Sequence, residues 1–337
     1  MGEHGRVRVV AAPDKFRGTA SADEVAAAIA CAATAAGSTC DGVPMADGGE
    51  GTLEALGGAN RTTLVTGPLG DPVVAGWRLS RSTAVVEMAR ASGLDLVGGP
   101  AGNDPIAAAT HGTGELIAAA LDAGARRVVV GMGGSATTDG GLGAVRALYP
   151  LQRLRGVELV VACDVRTRFV EAAEAFAPQK GASAAQVELL RRRLERLAQV
   201  YREDHGVDVT ELEGGGAAGG LAGGLAAVGA ELEPGFDLVA DELDLAGHME
   251  GADLVVTGEG FLDDQSFQGK VVGGVIELAA ELGVAVLVVA GEVFDGLPRQ
   301  VMADGVTAVS LVERFGEERA RAHTAACITE VVAAHLR

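Results

Sequence analysis

What most constrains this chain is the order in which its segments recur: a short apolar run, a loop rich in glycine and aspartate, then a stretch with helical spacing. Val7 to Ala12 reads as a buried strand and ends in Pro13-Asp14. Ser21-Ala22-Asp23-Glu24 then forms a capping box, with a helix predicted to about Ala36 and Gly37 as its stop. Arg127 to Val130 is a strand that opens into the loop Gly131 to Gly141. Glu158 to Ala162 is another, closed by Cys163-Asp164. Asp253 to Thr257 is a third, ending in Gly258-Glu259-Gly260, and Lys270 opens a helix to about Leu282. Val284 to Ala290 is a strand followed by Gly291, and Glu317 to Leu336 is a final helix. Strands alternating with helices predict an α/β fold of mainly parallel sheets covered by helices. In such sheets ligands bind at the carboxyl ends of the strands, where the glycine and aspartate loops fall.

At 337 residues the chain is long enough for two domains. Both ends read as simple βα units and the middle is more irregular. The prediction is therefore one discontinuous, Rossmann-like α/β domain from residues 1–80 plus 250–337, with a second α/β domain, residues 81–249, inserted into it. Hydrophobic residues make up 48% of the chain but aromatics only 3%, so Ala, Val, Leu and Ile must build the cores. The 50 glycines fall in short clusters between periodic apolar segments, which excludes a collagen-like or low-complexity chain.

The formal net charge of −19 repels the phosphates of nucleic acids and acidic lipids, so neither nucleic acid nor a membrane is an expected partner. Cys31, Cys40, Cys163 and Cys327 are scattered and are expected to be buried thiols rather than a disulfide framework. The histidines form no pair at metal-ligand spacing. No signal peptide is expected, because Met1-Gly2-Glu3-His4 leads straight into a strand-like run. The longest apolar run, Val284 to Ala290, is far short of the ~20 residues that span a bilayer. A cytoplasmic location is the expectation.

Of the 27 basic residues, three are lysine: Lys15, Lys180 and Lys270. Each lies in a polar segment containing glycine. A lysine is a compact point charge on a flexible stem, unlike the planar arginine fork. Lysines kept against such a bias toward arginine point to function, most clearly at Lys270. In contrast, Arg191, Arg192, Arg193 and Arg196 lie on a long amphipathic helix predicted from Ala184 to about Tyr201, and read as its solvated face.

Two themes carry chemistry. Backbone N–H groups in glycine-rich turns form anion nests, and a following helix N-terminus adds positive potential. Gly131 to Gly143 fits this, and Ser135, Thr137 and Thr138 add hydroxyls. No Walker A loop occurs, and no Rossmann fingerprint with its distal acid stands out. The second theme is acidic. Asp14, Asp47, Glu50, Asp139, Asp164, Glu259 and Asp263 all stand in or beside loops that end strands. One aspartate beside glycine is a common turn residue. Seven at equivalent places suit phosphoryl transfer, which needs carboxylates to hold Mg²⁺ and a base to orient the attacking hydroxyl.

At these residues the sequence resembles the bacterial glycerate kinases of the two-domain type. The matching segments are Ala12-Pro13-Asp14, Met45 to Thr52, Gly112-Thr113-Gly114-Glu115-Leu116-Ile117, Gly133 to Thr137 and Asp139-Gly140-Gly141. Pro178-Gln179-Lys180-Gly181-Ala182, Gly216 to Gly220, and Thr257 to Gly260 with Asp263, Gln265, Ser266, Gly269 and Lys270 follow in the family's order. The resemblance implies an ATP- and Mg²⁺-dependent kinase of the 2-hydroxyl of D-glycerate, with the active site in the cleft between two α/β domains. Within that frame, residue chemistry makes Asp47, Asp139, Asp263 and Lys270 the candidate catalytic residues, with Asp47 and Asp263 as metal ligands. Asp14, Lys15, Arg17 and Asp164 are the candidates for the substrate. Gly133, Gly134, Ser135, Thr137, Glu259, Gln265 and Ser266 are the candidates for ATP and its phosphates. The expected partners are a small-molecule substrate and a nucleotide, with a homodimer as the candidate assembly.

The sequence also departs from the family's pattern. Asp14-Lys15-Phe16-Arg17-Gly18 stands where the family has D-S-F-K-G, and Phe261 where it has arginine after G-E-G. The loop after Asp164 is rewritten as Arg166-Thr167-Arg168-Phe169. Replacing arginine by phenylalanine removes a bidentate donor for carboxylate or phosphate. Two further readings follow: a kinase of the same fold acting on another small hydroxylated metabolite, and a catalytically silent nucleotide- or metabolite-binding regulator.

Overall fold

The computed structural model describes residues 6–16, 18–267, 270–294 and 305–337, with the backbone alone for Asp264 and Gln265. Its strands are β1 (Arg8–Ala11), β2 (Thr39–Gly42), β3 (Arg61–Thr66), β4 (Pro72–Ser80), β5 (Thr83–Glu87), β6 (Arg127–Gly131), β7 (Glu158–Cys163), β8 (Glu231–Pro234), β9 (Leu254–Leu262), β10 (Ala285–Val293) and β11 (Val306–Ser310). The chain divides into two compact units, Met1–Asp47 with Phe236–Arg337, and Gly48–Gly235.

The first unit holds a sheet of order β11-β10-β9-β1-β2 in which every neighbouring pair is parallel. Alternation along the strands turns Val9, Ala11, Leu254, Val256, Leu287 and Val289 to one face. The helices Ala22–Ala35 and Thr324–His335 cover it through residues such as Ile29, Ile328 and Val332. The helix Val271–Leu282 packs against β9 and β10. Burial of each such aliphatic side chain contributes about 1.5–3 kcal/mol. Ser21 and Glu24 make the predicted capping box at the start of Ala22–Ala35.

The second unit holds a sheet of order β3-β4-β5-β6-β7-β8. β5 to β8 are parallel, while β3–β4 and β4–β5 are antiparallel. The expected boundary at residue 80 grouped β3 and β4 with the termini. They pair instead into the sheet of the second unit, because short turns fold them back as hairpins onto β5. The helices His111–Asp122 and Ala217–Ala227 share one core with this sheet. The long helix Ala184–His205 builds a separate core with Phe169, Leu190, Leu194, Leu197 and Tyr201.

Three expectations need correction. β9 runs on through Gly258-Glu259-Gly260 to Leu262, where a loop was expected. Gly258 pairs with Val289 of β10, and a Cβ there would stand 1.9 Å from the Val289 carbonyl oxygen. The glycine serves a close strand approach rather than a turn. The final helix is two, Glu317–Ala322 and Thr324–His335, because His323 leaves helical angles. The cysteines are free, but only Cys163 and Cys327 are buried; Cys31 is exposed and Cys40 half-buried. Among the described residues no helix is long and apolar enough to cross a membrane.

Candidate active site

In the first unit, the chain leaving β1 is tied to β9. The Ala12 N–H donates to the Val256 carbonyl, the Asp14 N–H to the Gly258 carbonyl, both at 2.9 Å, and Thr257 Oγ1 donates to the Ala12 carbonyl at 2.7 Å. This brings Asp14 at the end of β1 beside Glu259 near the end of β9. Burial pushes the Asp14 carboxyl up to about 6, against the opposing pull of Lys15, and the charge of Asp47 raises it further. Burial also pushes Glu259 up to about 7, with Ser266 opposing and the charge of Asp14 adding to the rise. Lys270 lowers both and Asp263 raises Glu259, so the two belong to the same group of charges. Asp263 Oδ1 accepts from the Ser266 N–H at 3.1 Å, which folds the turn between β9 and the helix capped by Lys270.

The donor set fits a hard divalent cation. Glu259 Oε1 is buried and has no hydrogen-bond partner, and carboxylate oxygens are the ligands Mg²⁺ prefers. Among the described residues no three His, Cys, Asp or Glu side chains make a metal cage by themselves. Mg²⁺ is commonly held by one or two carboxylates plus substrate phosphates.

In the second unit, the loop after β6 turns at Gly134, whose φ of 61° is in the left-handed region that favours glycine. Ser135 then pairs with Gly93 in an isolated bridge. Lys180, buried at 3% exposure, donates from Nζ to Ser135 Oγ and to the Thr137 carbonyl, each at 2.7 Å. Burial pulls its ammonium down to about 7, and the negative charge of Asp139 only partly opposes this. The hydroxyls of Thr137 and Thr138 are buried without partners. Asn103 Nδ2 ties the segment together by donating to the carbonyls of Ala136 and Lys180. A buried lysine, a serine hydroxyl and glycine N–H groups at the carboxyl end of a parallel strand make a nest for an anion.

The sequence matches the model of the Glycerate kinase family over residues 9–149 and 150–337. It is 40% identical to the glycerate 2-kinase of Escherichia coli K12 over 346 residues, covering 90% of each chain. It is 39% identical to a glycerate kinase of Bacillus subtilis strain 168, covering 85% of each. A crystal structure of a protein provisionally called glycerate kinase 2, from Salmonella typhimurium LT2, superposes with a TM-score of 0.81 at 36% identity and covers 98% of both chains. The chain belongs to the glycerate kinase family. As a member it is a kinase, with an alcohol group as phosphoryl acceptor.

In this family member the predicted site residues fall into two groups. Asp14, Lys15, Asp47, Glu259, Asp263, Ser266 and Lys270 belong to the first unit, and Gly133, Gly134, Ser135, Thr137, Asp139 and Asp164 to the second. Arg17 lies outside the described residues, as does the side chain of Gln265. Asp139 accepts four hydrogen bonds. Its Oδ2 accepts from the Thr110 N–H, the Thr110 hydroxyl and the Gly143 N–H, and its Oδ1 from the Gly141 N–H. That carboxylate is committed to holding the loop. Sequence reasoning placed Lys180 outside the site, although its rarity as a lysine marked it. It also missed Glu87, whose buried carboxylate accepts from the N–H groups of Gly51 and Leu53 and so holds the start of the helix Thr52–Ala55.

Two of the family departures acquire a physical setting. Phe261 is 42% exposed and stacks on Phe294, with ring centroids 5.8 Å apart. The nearby Arg321 is paired with Glu292 at 3.6 Å. Arg166 and Arg168 pair with Glu213 and Glu211, so carboxylates of a second segment meet the charge of the rewritten loop.

Proposed function

We propose that this protein is an ATP- and Mg²⁺-dependent glycerate kinase that phosphorylates the 2-hydroxyl of D-glycerate to give 2-phosphoglycerate. The reading rests on one observation above the others: Asp14, Asp47, Glu259, Asp263 and Lys270 are gathered where β1 and β9 end, in a chain of this family. Asp14 and Glu259, with pKa values near neutrality, are the groups able to take the proton of the attacking hydroxyl. Asp47 and Asp263 are the candidate oxygens for Mg²⁺, which when bound would neutralise phosphate charge. Lys270 neutralises further charge at the start of its helix. The turn Gly133–Gly134–Ser135 with Lys180 holds the nucleotide's phosphates. Lys15 and Arg17 line the acceptor side. Asp139 acts as a positioning residue for the loop.

A coupled assay of ADP release with D-glycerate, ATP and Mg²⁺ tests the reading, and enolase consumption of the product identifies the phosphorylated position. No ADP release above background sinks it. A second reading keeps the reaction and changes the acceptor to another small hydroxylated metabolite. Phe261 motivates it, because an aromatic stack stands where the resemblance implies an arginine fork. A panel of hydroxy acids, sugars and polyols decides, and turnover of glycerate alone ends that reading. The silent-regulator reading is set aside, because the family is one of kinases and the carboxylate group is retained.

A further inference from the structure

Glu87 closes β5 with a side chain that is 2% exposed. An ionised group so deeply buried must have its oxygens met. Its Oε1 accepts from the Gly51 N–H at 2.8 Å and from the Leu53 N–H at 2.9 Å, and its Oε2 from Arg90 Nε at 3.1 Å. Arg90 reaches on to Glu54 of the helix Thr52–Ala55. That helix has no side-chain cap of its own, because its N-cap residue is Gly51, at a φ of 99°. Glu87 takes the place of the missing cap from a distant strand.

The clamp extends beyond the helix. Thr52, between the two clamped residues, is buried and donates from Oγ1 to the Gly49 carbonyl at 2.8 Å. The Gly48 carbonyl accepts from the N–H of Met132, just past β6, at 2.9 Å. A Cβ on Gly133 would stand 3.0 Å from the Glu50 nitrogen and 3.1 Å from the Gly49 Cα. A Cβ on Gly131 would stand 3.1 Å from the Gly48 carbonyl oxygen. The segment Gly48–Glu50 therefore lies backbone to backbone on the loop after β6, with glycine on both sides of the contact. That loop carries the turn Gly133–Gly134–Ser135.

Packing alone does not call for a carboxylate at the end of β5. A buried ion pair replaced by well-packed apolar side chains is often neutral or stabilising. We infer that Glu87 is a positioning residue for the nucleotide: through Gly51, Thr52 and Gly49 it sets the height of the turn that meets the phosphates. Glu87 itself touches no phosphate. The inference rests on the reading of that turn as the phosphate holder and adds the residue that fixes it. Displacement of such donors by about 1 Å can cost on the order of 100-fold in rate, so a remote clamp has a measurable effect.

The test compares the full chain with E87A, E87D and E87Q, and with I117A, which trims a buried side chain of the core under the same sheet. Steady-state kinetics with D-glycerate and ATP, direct binding of trinitrophenyl-ATP and thermal midpoints are measured on each. E87A is expected to raise the KM for ATP at least tenfold and to weaken dye binding by the same factor, with the KM for D-glycerate unchanged. E87D draws the oxygens back by one methylene and is expected to show a several-fold effect. E87Q keeps an oxygen for Gly51 and Leu53 and is expected to stay within about threefold of the parent. I117A is expected to lower the midpoint and leave both KM values in place. If E87A does not fold, E87D against E87Q carries the comparison. A KM for ATP and dye affinity equal to the parent's in the folded Glu87 variants, or shifted as much in I117A, overturns the inference and leaves Glu87 a purely structural cap. A parent that binds the dye without turning over D-glycerate fails the acceptor assignment alone, and weaker dye binding in E87A then still supports the clamp. A parent that binds no nucleotide fails the kinase reading and the inference with it.

Discussion

Lys180 Nζ lies 2.7 Å from Ser135 Oγ and 2.7 Å from the Thr137 carbonyl, so one buried ammonium ties the serine of the proposed phosphate turn to the chain that follows it. The relationship has a cost that depends on pH. The group is pulled down to about 7, against an ordinary lysine value of 10.5. Between those values the unfolded chain binds more protons than the folded one, so stability rises with pH there. Below about pH 7 both states are protonated and the penalty of burying the charge is complete. The parent is therefore expected to gain stability relative to K180M from pH 7 to 9, by on the order of 1 kcal/mol per pH unit. Denaturant midpoints measured across that range check it, and parallel pH curves refute the assignment. In the same variant kcat is expected to fall about 100-fold, the usual scale for losing one pre-organised donor near a reacting phosphate or oxyanion.

Asp14 and Glu259 give the opposite sign. Their folded values, about 6 and about 7, stand above the ordinary 3.8 and 4.5. The folded state holds the extra protons, so stability is complete below about pH 4 and is lost as pH rises through 6 to 7. Without metal, the thermal midpoint is expected to drop between pH 5 and 8. E259Q is expected to lift it at pH 8 by about 1–2 kcal/mol of stability while lowering turnover at least 100-fold. Added Mg²⁺ is expected to stabilise the parent more at pH 8 than at pH 5, since protons compete for the same oxygens. Scanning calorimetry with and without Mg²⁺ reads the three stability effects and steady-state kinetics the loss of turnover, and a Mg²⁺ effect independent of pH contradicts the proposed ligands.

Gly219 tests how the second unit keeps its loop in place. Its φ is +71°, and a Cβ there would stand 2.0 Å from the Thr137 carbonyl oxygen, the same oxygen that Lys180 binds. The Gly219 carbonyl in turn accepts from the Gly140 N–H at 3.1 Å. G219A therefore meets both a left-handed backbone and a backbone clash, and is expected to destabilise by about 3 kcal/mol or more. G229A is the control, with a φ of +102° but nothing within 4 Å, and is expected to cost only the backbone strain, about 1–2 kcal/mol. Equal losses in the two variants would show that the clash with Thr137 is relieved at no cost.

The alternation of segments made the fold legible, because an apolar run of β-branched residues such as Val128–Val129–Val130 has few other destinations. The capping residue Ser21 placed one helix start to the residue. Glycine misled where it serves contact between elements: Gly258 looks like the end of a strand and is its tightest pairing. Aspartate carries tertiary partnerships that are equally hidden in the sequence. Asp139 has the chemistry of a catalytic carboxylate, but Thr110, 29 residues away, occupies one of its oxygens with two donors. Such a partnership depends on tertiary folding and leaves no local signal. Lys180 was marked by rarity, yet only its burial against Ser135 explains why a lysine stands there.

Phe261 offers the sharpest test of the acceptor. It follows Gly260 at the end of β9, two residues from Glu259, and alternation along the strand puts the two side chains on the same face. Its ring stacks on Phe294, and both are substantially exposed, so the stack is worth at most about 1 kcal/mol and its loss is tolerable. The resemblance to the family implies arginine at this place. An arginine beside Glu259 supplies a fork for the acceptor's carboxylate, and a charge-assisted pair of that kind contributes about 1.5–3 kcal/mol, which is at least tenfold in affinity. F261R is thus expected to lower the KM for D-glycerate about tenfold or more while leaving the KM for ATP in place. Steady-state kinetics on parent and variant, run beside an uncharged polyol acceptor that gains nothing, separate recognition of the carboxylate from a general effect. An unchanged KM for D-glycerate would mean that the acceptor's charge is read elsewhere, with Lys15 beside Asp14 as the next cation to test.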